Sequence, residues 1–407
     1  METIHFVIVG HVDHGKSTLI GRLLYDTNSL SHDKIDEVKM VSKDLGTKIE
    51  FAYLLDHLEE ERQQKITIET TQTFFKTDKR QYVIIDTPGH VEFVKNMITG
   101  ASQAEAAILI VDVQEGVREQ TKRHSYILSL LDLKQVIVVL NKMDLIGYNQ
   151  EHFDKVKDDI ERFLASINIQ PTHYIPICAM HSDNVVKKST NMPWYDGLTV
   201  LESLESLKAS IPDENKPLIM TIQDVYKFVD KRIAVGRVET GMIKKGDEIK
   251  ILPDAQTTKV NSIEKYLEDV DKSYAGECIG ITTTEPVFLD RGNVVCEPSK
   301  EPYLTDTFKA NVFWMSKKDF NKEEKIILRC ATQEISCSIK KIEERIDSSS
   351  LDILEKDASK LCNLEVGEVI IKTKKPIVIK PFNEIQELGR FVLVRDENIC
   401  AGGIIRA

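Results

Sequence analysis

No run of eighteen apolar residues occurs in this chain of 407, so a membrane-spanning helix is not expected. The first residues, Met1-Glu2-Thr3-Ile4-His5-Phe6, lack the basic and apolar stretches of a secretion signal and lead straight into a strand-like segment. None of the seven cysteines forms a CxxC pair. That absence speaks against a disulfide framework or a zinc site, and for free thiols in a reducing cytoplasm. A strongly basic domain is missing too. The formal net charge is −11, and because Lys+Arg and Asp+Glu balance within residues 301–407, the first 300 residues carry the whole excess. Non-specific nucleic-acid binding draws on Lys and Arg at phosphates, so this balance counts against it, although a local basic patch is compatible with it. There is no internal repeat and no low-complexity tract.

What is present is patterned. Hydrophobic residues make up 42% of the chain, enough for ordinary cores, and the length suits two or three domains. Ile4–Val9 is an apolar, β-branched run ending at Gly10, and Lys16–Tyr25 carries Leu19, Ile20, Leu23 and Leu24 at helical spacing. Further apolar runs lie at Tyr82–Ile85, Ala106–Val111, Gln135–Leu140 and Tyr174–Ile177, separated by helix-compatible segments. This alternation predicts an α/β domain with a doubly wound, mainly parallel sheet covered on both faces. Asn28–Glu69 is polar and weakly periodic, as functional or mobile segments often are. Leu198–Ile211 reads as an amphipathic helix that closes the first domain, and Pro212-Asp213-Glu214-Asn215-Lys216-Pro217 as a linker. Beyond it the period becomes two, with strands expected at Ile233–Glu239, Glu248–Leu252, Glu277–Thr283, Ile326–Cys330 and Phe391–Arg395. Two small antiparallel β-barrels are predicted, divided near Glu301–Tyr303. The expected domains are therefore 1–212, 217–300 and 301–407.

Short motifs fall in a fixed order along the first domain. Gly10-His11-Val12-Asp13-His14-Gly15-Lys16-Ser17 matches G-x-x-x-x-G-K-[ST] between a strand and a helix, and Thr18 follows. Its glycines let the backbone wrap phosphates. Lys16 is expected at the β- and γ-phosphates, and the Ser17 hydroxyl at Mg²⁺. Asp86 ends an apolar strand and can hold Mg²⁺ through water, and Gly89 leaves room for its N–H to approach the γ-phosphate. Asn141-Lys142-Met143-Asp144 follows another buried strand. Asp144 can accept both N1–H and the exocyclic N–H of guanine, which adenine cannot satisfy. Cys178-Ala179-Met180 is a weaker fifth element at the base. Together these residues predict a site for GTP or GDP with Mg²⁺.

These motifs resemble those of the translation-factor-type GTPases. Gly236-Arg237-Val238-Glu239-Thr240-Gly241 followed by Lys245-Gly246-Asp247 resembles the second-domain barrel of the same family. The resemblance implies that Thr67 binds Mg²⁺ and the γ-phosphate and that His90 positions the attacking water. It also implies that Val12 and Ile66 form an apolar gate beside that histidine. His11 and His14 look like spacers in the phosphate loop. Two departures stand out. Lys65 occupies the place of a usual glycine before Ile66-Thr67-Ile68, and Cys178-Ala179-Met180 replaces the usual Ser-Ala-Leu. The Ala179 N–H is still expected to reach guanine O6, whereas the serine hydroxyl is gone.

Within the family, three segments resemble the large GTPase subunits of sulfate adenylyltransferase: Leu19–Thr27, Gln120–Ile127 and Asn311-Val312-Phe313-Trp314-Met315. Two others, Gly10–His14 and Glu92–Gly100, are closer to elongation factors. The first resemblance implies a GTPase that works in a hetero-complex with an adenylyltransferase small subunit, which joins ATP and sulfate into adenosine 5′-phosphosulfate. The second implies delivery of aminoacyl-tRNA.

Overall fold

The structure is a computed structural model, and it describes residues 2–30, 71–87, 104–208, 216–228, 231–265, 268–321 and 324–406. Two compact units divide the chain: Met1–Ser210 with Ser348–Ser350, and Ile211–Asp347 with Leu351–Ala407. Among the described residues no helix is long and apolar enough to cross a membrane.

In the first unit, strand β1 (Thr3–Gly10) leads into helix α1 (Lys16–Asp26). Strands β2 (Thr71–Lys76), β3 (Gln81–Asp86) and β4 (Ala106–Asp112) follow, then α2 (Glu119–Leu130), β5 (Gln135–Asn141), α3 (Gln150–Ser166), β6 (His173–Pro176) and α4 (Val200–Ser206). The sheet runs β2-β3-β1-β4-β5-β6. It is parallel except for β2, which pairs antiparallel with β3. The order reverses at β1, which lies between β3 and β4. Ligands of such sheets bind outside the C-terminal ends of the strands at this point.

The apolar runs become buried strands because both faces of the sheet are covered. Ile4, Phe6 and Ile8 pack with Leu19, Ile20, Leu23 and Leu24 of α1 and with Val200 and Leu204 of α4. The alternate residues Val7 and Val9 are equally buried and point to the opposite face. The helix expected over Leu198–Ile211 is shorter than its sequence pattern. It starts after Thr199, whose hydroxyl accepts from Glu202 N while the Glu202 carboxylate accepts from Thr199 N. It ends at Ser206, because Leu207 turns extended (ψ 146). Lys208 then exchanges two hydrogen bonds with the Gln135 side chain, at 2.8 and 2.7 Å. That edge contact takes the chain out of the helix before the apolar periodicity stops.

The second unit holds two closed six-stranded antiparallel barrels. Strands Ile219–Lys227, Arg232–Thr240, Glu248–Leu252, Gln256–Lys265, Cys278–Thr283 and Val294–Cys296 form the first, closed by pairing of Glu248–Leu252 with Gln256–Lys265. Tyr303–Trp314, Ile326–Cys330, Gln333–Asp347, Glu365–Ile379, Arg390–Arg395 and Asn398–Ile405 form the second, closed between Ile326–Cys330 and Gln333–Asp347. Closure leaves no unpaired edge within either six-strand ring. Inward residues such as Met220, Val238, Ile251 and Ile281 fill the first barrel, and Val312, Trp314, Leu328 and Ile371 the second. A separate apolar seam joins Ile219, Leu252, Val294 and Cys296 of the first barrel to Val378, Ile385 and Leu388 near the second. Trp314, part of the segment that resembles the sulfate subunit, is wholly buried, tilted against Phe320 at 5.3 Å, and donates to Lys318 O at 3.0 Å. Core packing accounts for it.

Candidate functional site

The phosphate end of the site is built by the turn from β1 into α1. Asp13 is left-handed (φ 63), and Gly15 (φ 95) caps the helix. A Cβ on Gly10 would lie 2.4 Å from Ile110 O, and one on Gly15 would lie 2.3 Å from Asn141 Nδ2. Close approach therefore fixes both glycines, and the backbone angle fixes Gly15 a second time. The first amides of α1, at Lys16, Ser17 and Thr18, have no partner within the helix and gather positive potential where a phosphate would sit. Gly15→Ala is expected to cost about 1–3 kcal/mol through strain and displacement of Asn141. Thermal unfolding with and without GDP measures this. An unchanged midpoint together with unchanged GDP stabilisation would show that the loop relaxes freely.

Lys16 is only 7% exposed. Its Nζ donates to Gly10 O at 3.0 Å and His11 O at 2.9 Å, so the ammonium is held inside the loop. Burial pushes its pKa down to about 8, against the opposing pull of Asp86 and Asp13. Asp86 ends β3 opposite Ile8 and is 2% exposed. The next residue, Thr87, donates its hydroxyl to Ile8 O at 2.8 Å, which pins the strand end against β1. Ser17 and Thr18 are half-buried in the first turn of α1, and Val12 is half-buried in the loop. Thr67, Gly89 and His90 lie outside the described residues, as do Lys65, Ile66 and Glu92–Gly100.

The two loop histidines are not equivalent. His14 is fully buried, with Nδ1 3.3 Å from Ile110 O, and burial drives its pKa down to about 4. The ring is therefore neutral and packs the loop onto β4. His11 meets it edge to face at 5.2 Å. Behind them α2 brings in His124, 0% exposed and pushed down to about 3 by burial. Arg123 is 8% exposed, so Lys122-Arg123 is not the solvated face that an isolated helix segment suggests.

Asn141 organises the base end. Its Nδ2 donates to His14 O at 2.9 Å, and its Oδ1 accepts from Ala179 N at 3.0 Å. One side chain thus ties the phosphate loop to the loop after β6. The Ala179 amide, expected at guanine O6, is committed to Asn141 in this structure. Lys142 is left-handed (φ 66), and its ammonium pairs with Asp112 at 2.8 Å. Asp112 in turn accepts from Gln114 N at 2.8 Å. Asp144 is half-buried in the 3₁₀ turn Met143–Ile146. The loss of the serine hydroxyl is made good by sulfur, because Cys178 Sγ donates to Asp144 Oδ1 at 3.0 Å. Burial first, and this bond second, push the thiol up to about 12. Met180 is exposed.

The structure thus brings together Gly10–Thr18, Asp86, Asn141–Asp144 and Cys178–Met180 around the C-terminal ends of β1, β3, β5 and β6. A buried ammonium, a helix start shaped by two glycines, and a carboxylate at a strand end suit a phosphate chain with Mg²⁺. The Asp144 carboxylate suits paired N–H donors. Asp112 and the bridging role of Asn141 were missing from the sequence-based list. Asp112 had one available signal, a carboxylate closing an apolar strand as Asp86 does.

Comparison with known families matches residues 1–233 to the elongation factor Tu GTP binding domain, 231–296 to elongation factor Tu domain 2, and 307–406 to the GTP-eEF1A C-terminal domain-like family. Elongation factor 1-alpha of Methanopyrus kandleri is 38% identical, over 100% of this chain and 98% of its own length. Elongation factor 1-alpha of Pyrococcus abyssi is 38% identical over 99% and 97%. Sulfate adenylyltransferase subunit 1 of Alteromonas mediterranea is 35% identical over 97% of this chain and 84% of its own length. With the β1–α1 loop, the Asn141–Asp144 loop and both barrels in place, the chain belongs to the elongation factor Tu family of GTP-binding proteins and is a GTP hydrolase.

Proposed function

We propose that this GTPase is the GTP-hydrolysing subunit of a cytoplasmic sulfate adenylyltransferase, in which GTP turnover drives adenosine 5′-phosphosulfate formation from ATP and sulfate on a partner catalytic subunit. The observation that carries this reading is the match, over 97% of the chain, to a protein named sulfate adenylyltransferase subunit 1. The charge of −11 supports it, since capture of a polyanionic RNA gains little from an acidic protein. The boundaries 1–212, 217–300 and 301–407 are proposed for its three domains.

Ser17, Thr67 and Asp86 would hold the magnesium ion, which neutralises charge on the transferring phosphoryl group. Lys16 holds the β- and γ-phosphates, and the Gly10–Gly15 backbone wraps them. Asp144 reads the base, with Asn141, Lys142, Cys178, Ala179 and Met180 around it. His90 orients the attacking water, with Val12 and Ile66 shielding it, and Gly89 donates its N–H to the γ-phosphate. His90→Ala is expected to leave GTP affinity within about threefold and to lower turnover by about two orders of magnitude. Single-turnover hydrolysis beside equilibrium binding checks this, and equal loss in both would remove His90 from the chemistry.

A second reading, delivery of aminoacyl-tRNA, is favoured by the 38% identity to elongation factor 1-alpha over 98% of that protein. One pair of assays separates them. Sulfate-dependent pyrophosphate release is measured after adding a sulfate adenylyltransferase small subunit, with GTP present or omitted. Aminoacyl-tRNA retention is measured with GTP and with GDP. GTP-stimulated release supports the sulfate role, and GTP-dependent tRNA capture without such release replaces it.

A further inference from the structure

Cys178 is the residue that the nucleotide site absorbs least well. It stands where its relatives' pattern has serine, and it lies 3.0 Å from the base-reading carboxylate. A third group joins them. Asp144, Cys178 and His181 each offer a ligand atom, and these atoms all lie within 4.8 Å of one another. We propose that Asp144, Cys178 and His181 form a site for a thiophilic divalent cation of the zinc type, and that metal and guanine exclude each other there.

The backbone builds the arrangement. Met143 N donates to Ile177 O at 3.1 Å, which holds the Asp144 turn against the end of β6. The amides of His181 and Asp183 both converge on Cys178 O, at 3.2 and 3.1 Å, and Cys178 N returns to Asp183 O at 3.3 Å. Cys178 and His181 therefore share one tight turn as C-x-x-H, a spacing suited to two ligands of one ion. The absence of CxxC pairs pointed away from zinc, but a mixed ligand set escapes that test. Tetrahedral zinc with bonds near 2.0–2.3 Å puts its ligand atoms roughly 3.5 Å apart, so a contraction of about an ångström completes the set. Thiolate and imidazole favour zinc-like ions over magnesium. Thiolate and carboxylate together neutralise a dication, and the exposed His181 gives it an entry from solvent. The fourth position is left to water. On binding, the metal–sulfur bond forms as the thiol proton leaves to solvent, one proton per metal.

Exclusion of guanine rests on Asp144 being the base reader proposed above, because a metal-bound carboxylate cannot also accept two N–H groups from the base. The test uses the full chain freed of nucleotide, in excess Mg²⁺, titrated calorimetrically with Zn²⁺. One Zn²⁺ per chain is expected. His181→Ala and Cys178→Ser should each weaken it at least about tenfold, and His181→Ala should leave GDP affinity within about threefold. Co²⁺ should give a thiolate charge-transfer band that Cys178→Ser removes. Saturating GDP should weaken Zn²⁺ binding in proportion to its own occupancy. His181 is exposed, so its variant should unfold at the same temperature as the parent. Zinc binding indifferent to both variants, or a missing thiolate band, overturns the metal site. Zinc held through Cys178 and His181 without competition from GDP overturns the exclusion, and the base preference of Asp144→Asn tests the placement of Asp144 at the base separately.

Discussion

Lys16→Ala is expected to raise the dissociation constants for GTP and GDP by at least two orders of magnitude. The ammonium lies inside the phosphate loop on the carbonyls of Gly10 and His11, and both contacts are about 3 Å long. Charge-assisted hydrogen bonds to phosphate contribute about 1.5–3 kcal/mol each, so losing two removes about 3 kcal/mol or more. The variant also leaves two loop carbonyls without their donor, so thermal unfolding must be followed in parallel. Burial gives a second readout. In the free protein burial pushes the Lys16 pKa down to about 8, and a bound phosphate chain raises that value by favouring the charged form. Affinity is thus full below about pH 8 and falls as pH rises above it, approaching tenfold per unit. Fluorescent GDP titrations between pH 7 and about pH 9 measure this slope. A flat profile would show that the ammonium does not meet the phosphates.

Asp144→Asn should exchange the base preference. The carboxylate offers two acceptors to two guanine donors, and the amide turns one acceptor into a donor that faces the exocyclic N–H. Losing one charge-assisted bond and leaving a buried donor unpaired costs about 3–5 kcal/mol, or about two to four orders of magnitude for GDP. Xanthine carries an oxygen at that position, so xanthosine diphosphate gains what guanosine diphosphate loses. Competition between the two nucleotides for the variant gives the result directly. Retained guanine preference would move the base elsewhere in the pocket.

Much of this architecture was legible in one dimension. A glycine-rich turn between a β-branched run and a Leu19/Ile20/Leu23/Leu24 stripe allows little besides a strand, a phosphate loop and a helix, and α1 begins at the residue the pattern indicates. The barrel strands were visible because side chains alternate when only one face is buried. Contacts between distant segments were not. Asn141 is read locally as part of a base motif, yet its two bonds span the sheet to His14 and Ala179. Lys122-Arg123 looks like a solvated helix face until the fold covers Arg123. The helix expected to reach Ile211 stops early because Lys208 meets Gln135, a partner 73 positions away. Sulfur taking over a hydroxyl's hydrogen bond at Asp144 is likewise a matter of geometry that residue type alone leaves open.

The seam between the barrels constrains how this molecule can be rebuilt. Ile385 and Leu388 shelter against Ile219, Leu252 and Val294, so a chimera that imports one barrel from a distant homologue inherits a mismatched greasy contact on its flank. Grafts that carry both barrels as a cassette keep that contact intact. Recombination between relatives should therefore be poorly tolerated between Cys296 and Tyr303.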